Sequence, residues 1–138
     1  MFRFVLDCSV TMSFLLPGQA TTYAHKLFTS HQNWEALVPS LWELEVSNVL
    51  ARQEQRGRLG KPECDNLLEL LAGFNIHQEQ AEPGQIFKRV LPLTRQLKLT
   101  SYDATYLELA IRHRIPIATL DAHLSEAATL HGAKILVL

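Results

Sequence analysis

The opening run Met1-Phe-Arg-Phe-Val-Leu-Asp7 constrains the fold more than any other stretch of the chain. Phe2, Phe4, Val5 and Leu6 are aromatic and branched apolar residues of the kind a buried strand favours, and the run stops at a carboxylate followed by Cys8 and Ser9. A strand apolar on both sides belongs inside a sheet covered by helices. In open parallel α/β sheets, ligands bind outside the carboxyl ends of the strands, so the acid at the end of this run faces whatever the protein handles.

The remaining sequence alternates short apolar runs with helical patterns. Residues 9–16 read as a short helix ended by Pro17-Gly18, and Thr21 or Thr22 caps a second helix to about Ser30. Ala36-Leu-Val38, closed by Pro39, is the second strand, and Ser40 opens a long helix to about Arg56 that Gly57 stops. Pro62 begins a helix carrying Leu67, Leu68, Leu70 and Leu71, and Phe74–His77 is a weak third strand. A helical pattern from Pro83 to Leu97 contains Pro92, which should kink or split it. Thr100 opens a helix to about His113, Ile115–Thr119 is a strand, Asp121 starts a helix to about His131, and Ile135–Leu138 is a final strand. Strands alternating with helices imply parallel pairing, so the expected architecture is α/β: one three-layer α/β/α domain over residues 1–138, around a central parallel sheet of about five strands.

Composition narrows function mainly by exclusion. A net charge of −1 and a pI of about 6.6 do not mark a general nucleic-acid binder. The N-terminus lacks the zones of a signal peptide, and no apolar stretch nears the roughly 20 residues of a membrane span, so a cytoplasmic location without membrane contact is expected. Cys8 and Cys64 are far apart and fit no metal-ligand spacing, so both are expected as free thiols. His25, His31, His77, His113, His123 and His131 form no ligand pair and read as scattered surface groups; Gly57-x-x-Gly60 reads as a helix-helix turn.

Four acids remain. Asp7, Asp103 and Asp121 each stand at a helix start, where capping alone would account for any one of them, and Thr100-x-x-Asp103 is close to a capping box. The predicted alternation nevertheless brings all three to one sheet edge. Within the helix beginning at Leu41, a rotation of about 100° per residue puts Trp42, Val46, Val49 and Leu50 on an apolar stripe, Glu43 on a solvated face and Glu45 at the border, making Glu45 the better fourth acid. Acids gathered this closely repel one another unless a cation neutralises them, and an all-oxygen set suits Mg²⁺ or Mn²⁺.

Strand-Asp7-x-Ser9, Pro39-x-x-Trp-x-x-Glu45-Val-x-Asn48-x-Leu50, Leu99-Thr-Ser-Tyr-Asp103-Ala-x-Tyr106-Leu-Glu-Leu-Ala110 and Ile117-Ala-Thr119-Leu-Asp121-x-x-Leu124 resemble, in order and spacing, the PIN-domain ribonucleases of the VapC toxin type. The resemblance spans essentially the whole chain and implies a single PIN-like nuclease domain. The activity implied is Mg²⁺- or Mn²⁺-dependent endoribonuclease, the toxin of a toxin-antitoxin pair. Its catalytic acids map onto Asp7, Glu45, Asp103 and Asp121, with Asp7, Asp103 and Asp121 as metal ligands and Ser9, Asn48 and Thr119 as supporting polar groups. By the same resemblance the partners are an RNA substrate, a small cognate antitoxin and a second copy of the chain in a homodimer. Arg52, Arg56, Arg58 and Lys61 gather at one helix end and are the candidate RNA-binding cations, although complementing the helix dipole would equally explain them.

Two other classes compete. A Mg²⁺-dependent phosphatase or phosphotransfer domain also places an Asp after its first strand, but the haloacid-dehalogenase pattern wants a second Asp where this chain has Ser9. A non-catalytic PIN-like module that binds RNA or protein would be expected to have lost site acids, and all four are present.

Overall fold

The structure is a computed structural model that describes residues 1–30 and 33–138. Its strands are β1 (Phe2–Leu6), β2 (Trp34–Pro39), β3 (Ile76–Glu79) and β4 (Ile117–Ala118), all parallel in the order β3-β2-β1-β4. Among the described residues the connecting helices are α1 (Cys8–Leu15), α2 (Thr22–Thr29), α3 (Leu41–Gln55), α4 (Lys61–Ala72), α5 (Leu91–Leu97), α6 (Ser101–His113) and α7 (Ala122–Leu130).

The opening run is the interior strand that the sequence implies. Phe4, Val5 and Leu6 are fully buried, and β1 pairs with β2 through Phe2 to Trp34 and Val5 to Leu37, and with β4 through Val5 to Ile117 and Leu6 to Ala118. The chain steps from β1 to β2 and β3 on one side, then returns to β4 on the other. The strand order therefore reverses between β1 and β4, and such a reversal leaves a crevice at the carboxyl ends of the two strands. Asp7 leaves β1 there and Asp121 follows β4 there.

Among the described residues the sheet has four strands where about five are expected. Ile135 makes a single bridge to Ile117, fixed by bonds from Ile117 N to Lys134 O (2.9 Å) and from Leu136 N to Ile117 O (2.8 Å), and Val137 is exposed. One bridge beside a two-residue β4 does not extend into a ladder. Pro92 acts as expected: Ile86–Val90 forms a π-helical turn that gives way at Leu91 to α5, with Pro92 in the first turn, where its missing N–H costs nothing.

Apolar side chains fill both faces. On one, Phe2, Phe4, Phe14, Phe28, Trp34 and Phe74 pack ring against ring, with Phe14 and Phe28 stacked at 4.2 Å. On the other, Tyr106, Leu107 and Ala110 of α6 cover β1 and β2. Gly57 takes a left-handed φ of 70° just past α3, the conformation that ends the helix and turns the chain into α4. Leu71 and Cys64 bury one face of α4, while Leu68 and Leu70 stay exposed, so only part of the leucine run is core. Cys8 and Cys64 are both free and buried.

Candidate active site

Asp7 sits at the N-cap of α1, yet its carboxylate makes no capping hydrogen bond to the first turn. Oδ2 instead accepts from Ser9 Oγ at 2.6 Å and from Thr119 Oγ1 at 2.8 Å. Both hydroxyls accept in turn: Ser9 Oγ from Leu120 N and Thr119 Oγ1 from Asp121 N, each at 3.0 Å. A short polar lattice thus ties the end of β1 to the loop after β4. Burial raises the Asp7 carboxyl above its ordinary range; the Ser9 and Thr119 hydrogen bonds oppose this, and the charge on Asp121 adds to it.

The other acids come from three further elements. Asp121 caps α7, its Oδ1 accepting from Leu124 N at 3.0 Å. Asp103 lies in the first turn of α6, where its N–H donates to Thr100 Oγ1 at 3.1 Å, so Thr100 is the cap and the Asp103 carboxylate is not needed for that task. Glu45 lies half-buried on α3 at the border the periodicity predicts, and its Oε1 accepts from the hydroxyl of Tyr106 at 2.5 Å. Glu43 is exposed and lines a groove walled by Trp42, Leu68, Leu71 and Phe74.

These acids feel one another. Burial is the main reason the Glu45 and Asp103 carboxyls are raised; the Tyr106 bond opposes the shift at Glu45, the charges on Asp7 and Asp103 add to it there, and those on Asp121 and Asp7 add to it at Asp103. Burial and mutual repulsion that favour the protonated forms of Asp7, Glu45 and Asp103 also favour a compensating cation beside them. Among the described residues no three His, Cys, Asp or Glu side chains are already grouped to hold a metal ion. The donors still fit a hard cation: every one is an oxygen, and Mg²⁺ keeps several waters while taking only one or two protein carboxylates. Cys8, next to Asp7 in the chain, is buried with its thiol pushed up to about 12, chiefly by desolvation, so it offers no thiolate.

Ser9 and Thr119 both hydrogen-bond Asp7. Asn48 is exposed and makes no side-chain hydrogen bond among the described residues, so it takes no part in that lattice. Arg52, Arg56 and Arg58 are exposed without ion pairs among the described residues, whereas Lys61 pairs with Asp65 at 2.8 Å. Of the histidines, His113 is no scattered surface group: with Arg112 it holds Glu79 at the end of β3. His31 lies outside the described residues. Tyr106 is the site residue that periodicity conceals, because it sits on the buried stripe of α6 like an apolar residue. The available signal is chemical: a tyrosine there, one turn after Asp103, must find a partner for its hydroxyl.

Fold and site together define a parallel α/β/α domain that presents carboxylates at a topological switch point. Residues 4–130 match the PIN domain family, and the chain belongs to that family. It is similar to Ribonuclease VapC3 of Pyrobaculum aerophilum, 28% identical over 124 residues that make up 90% of this chain and 93% of that protein. Among solved structures it superposes on PAE2754 from Pyrobaculum aerophilum with a TM-score of 0.70 at 20% identity, covering 97% of this chain and 83% of that one. FitAcB from Neisseria gonorrhoeae gives 0.67 at 17%, covering 97% and 96%. A toxin-antitoxin complex from Klebsiella pneumoniae gives 0.58 at 16%, covering 86% of each chain.

Proposed function

We propose that this chain is a Mg²⁺- or Mn²⁺-dependent endoribonuclease of the VapC type, the toxin of a toxin-antitoxin pair. What supports the reading is that Asp7, Glu45, Asp103 and Asp121, from four separate elements, are near enough for their charges to act on one another, with burial and this repulsion raising three of their carboxyls. A relative named as a ribonuclease across nearly the whole chain supports RNA as the substrate.

Asp7 and Asp103 are the residues that would hold the ion directly, with Asp121 holding it directly or through a water. When bound, it supplies positive charge that activates water and offsets the charge building on the scissile phosphate. Ser9 and Thr119 both donate to Oδ2 of Asp7, which sets the direction of its other oxygen, Oδ1. Glu45 has one oxygen taken by Tyr106 and presents the other, Oε2, as a proton acceptor for the attacking water. Arg52, Arg56 and Arg58 offer exposed positive charge along which an RNA backbone would lie.

The partner reading is a small antitoxin, supported by the fold shared with a chain of a toxin-antitoxin complex. A homodimer is supported by Ile86, Phe87 and Tyr102, large apolar groups exposed in the π-helical turn and at the start of α6. Incubating the purified protein with structured RNA plus Mn²⁺, and in parallel with EDTA, tests the activity: cleavage that needs the metal is expected, and intact RNA in both would overturn it. A mass in solution equal to one chain at micromolar concentration would overturn the dimer.

A further inference from the structure

We propose that Tyr106 is a positioning residue for Glu45, orienting that carboxylate relative to Asp103 through a hydrogen bond between two helices that both rest on β2 with little direct contact; this rests on the ribonuclease reading.

The side chain of Tyr106 is fully buried, and its hydroxyl donates to Glu45 Oε1 at 2.5 Å across 61 residues of sequence. Asp103 lies three residues before Tyr106, on the adjacent turn of the same helix. Helix α3 packs on α1, α4 and β2, whereas α6 packs on α5, α7 and β1, β2 and β4; α3 and α6 are not among the closely packed pairs. Glu45 and Asp103 therefore ride on helices that both rest on β2 but share little direct contact, which leaves the orientation of the Glu45 carboxylate to its own hydrogen bond. The Tyr106 hydroxyl bridges them at the level of the acids. A second buried bond, from Trp42 Nε1 to Thr11 Oγ1 at 3.0 Å, anchors the start of α3 to α1. It fixes where α3 begins but leaves the Glu45 carboxylate free to rotate. Only Tyr106, among the described residues, donates a side-chain hydrogen bond to that carboxylate. It engages one oxygen and so dictates which way the other faces. Phenylalanine would fill the same volume and supply none of this.

Tyr106→Phe is the direct test, with Glu45→Gln, the double variant, and Tyr23→Phe as control. Tyr23 donates its hydroxyl to the backbone oxygen of Leu136 at 2.7 Å and to none of the four acids, so its variant reads the loss of an ordinary tyrosine bond. In metal-free wild-type protein, NMR should show a downfield, slowly exchanging hydroxyl proton that disappears in Tyr106→Phe and moves in Glu45→Gln. In RNA cleavage, Tyr106→Phe should lower kcat by about tenfold to a hundredfold with KM little changed, and Tyr23→Phe should leave both unchanged. In the Glu45→Gln background, Tyr106→Phe should cost almost nothing further, because the two residues act as one unit. A hydroxyl resonance indifferent to Glu45→Gln, or kinetic losses that simply add, would overturn the proposal. A wild-type protein inert towards RNA would instead overturn the functional reading, and the resonance would still decide whether Tyr106 holds Glu45.

Discussion

Thr119 donates its hydroxyl to Oδ2 of Asp7 at 2.8 Å across 112 residues of sequence, and Oγ1 of Thr119 accepts from the backbone N–H of Asp121 at 3.0 Å. One buried hydroxyl thus orients two acids of the crevice. Thr119→Val keeps the shape and removes both bonds. It should lower stability by about 1–2 kcal/mol, as expected when buried polar groups lose a partner, and cut RNA cleavage by about tenfold or more. Thermal denaturation beside a cleavage assay checks both effects; an unchanged cleavage rate would remove Thr119 from the supporting set.

The pH dependence should separate Asp7 from Glu79. A carboxyl raised in the folded state holds its proton more tightly there than in the unfolded chain, so Asp7 stabilises less as pH rises above the ordinary carboxylate range. Without metal, the stability of Asp7→Asn relative to wild type should therefore improve as pH rises from the ordinary carboxylate value through the raised one, and level off above it. Glu79 behaves oppositely. Burial alone would raise it, but the bonds from Arg112 and His113 pull it below its ordinary value, so its contribution is present at neutral pH and lost as pH falls through that lowered value. Glu79→Gln should cost about 1 kcal/mol near neutrality and nothing in strong acid. Denaturant titrations across pH read both trends, and parallel curves for the two variants would contradict them.

Charge reversal at Arg52, Arg56 and Arg58 should weaken cleavage and flatten its dependence on salt. Each phosphate that a cation no longer neutralises takes roughly one unit off the slope of log affinity against log salt. These residues are exposed and unpaired among the described residues, whereas Lys61 is engaged by Asp65, so Lys61→Glu should matter less. An unaltered salt slope in the triple variant would mean that the three arginines only complement the end of α3.

How far the sequence could be read depends on how local each cause is. The burial of β1, the start of α3 after Ser40 and the span of α6 follow from neighbouring residues, and the structure places them as those residues imply. Strand β3 runs two residues later than Phe74–His77 suggests, because an edge strand with the polar trio His77, Gln78 and Glu79 needs no apolar pattern. Strand β4 shrinks to two residues beside Pro116, which has no N–H to donate, and Ile135–Leu138 yields one bridge instead of a strand. Of the four acids, Asp7, Asp103 and Asp121 are visible from a strand end and helix starts, and Glu45 from the periodicity of α3. Their fastenings are not: Thr119 to Asp7 and Tyr106 to Glu45 join residues 112 and 61 positions apart, and no periodicity carries a partner's identity over that distance.

The proposed role of Asp7 as the anchor of a metal-dependent ribonuclease site is tested by Asp7→Asn. Asparagine keeps an oxygen to accept from Ser9 and Thr119 while discarding the charge, so the fold should survive with its melting transition intact. Cleavage of a structured RNA in Mn²⁺, measured for wild type and Asp7→Asn at equal concentration, should fall by about a thousandfold or more. A folded Asp7→Asn protein that cuts RNA as fast as the wild type would contradict the account.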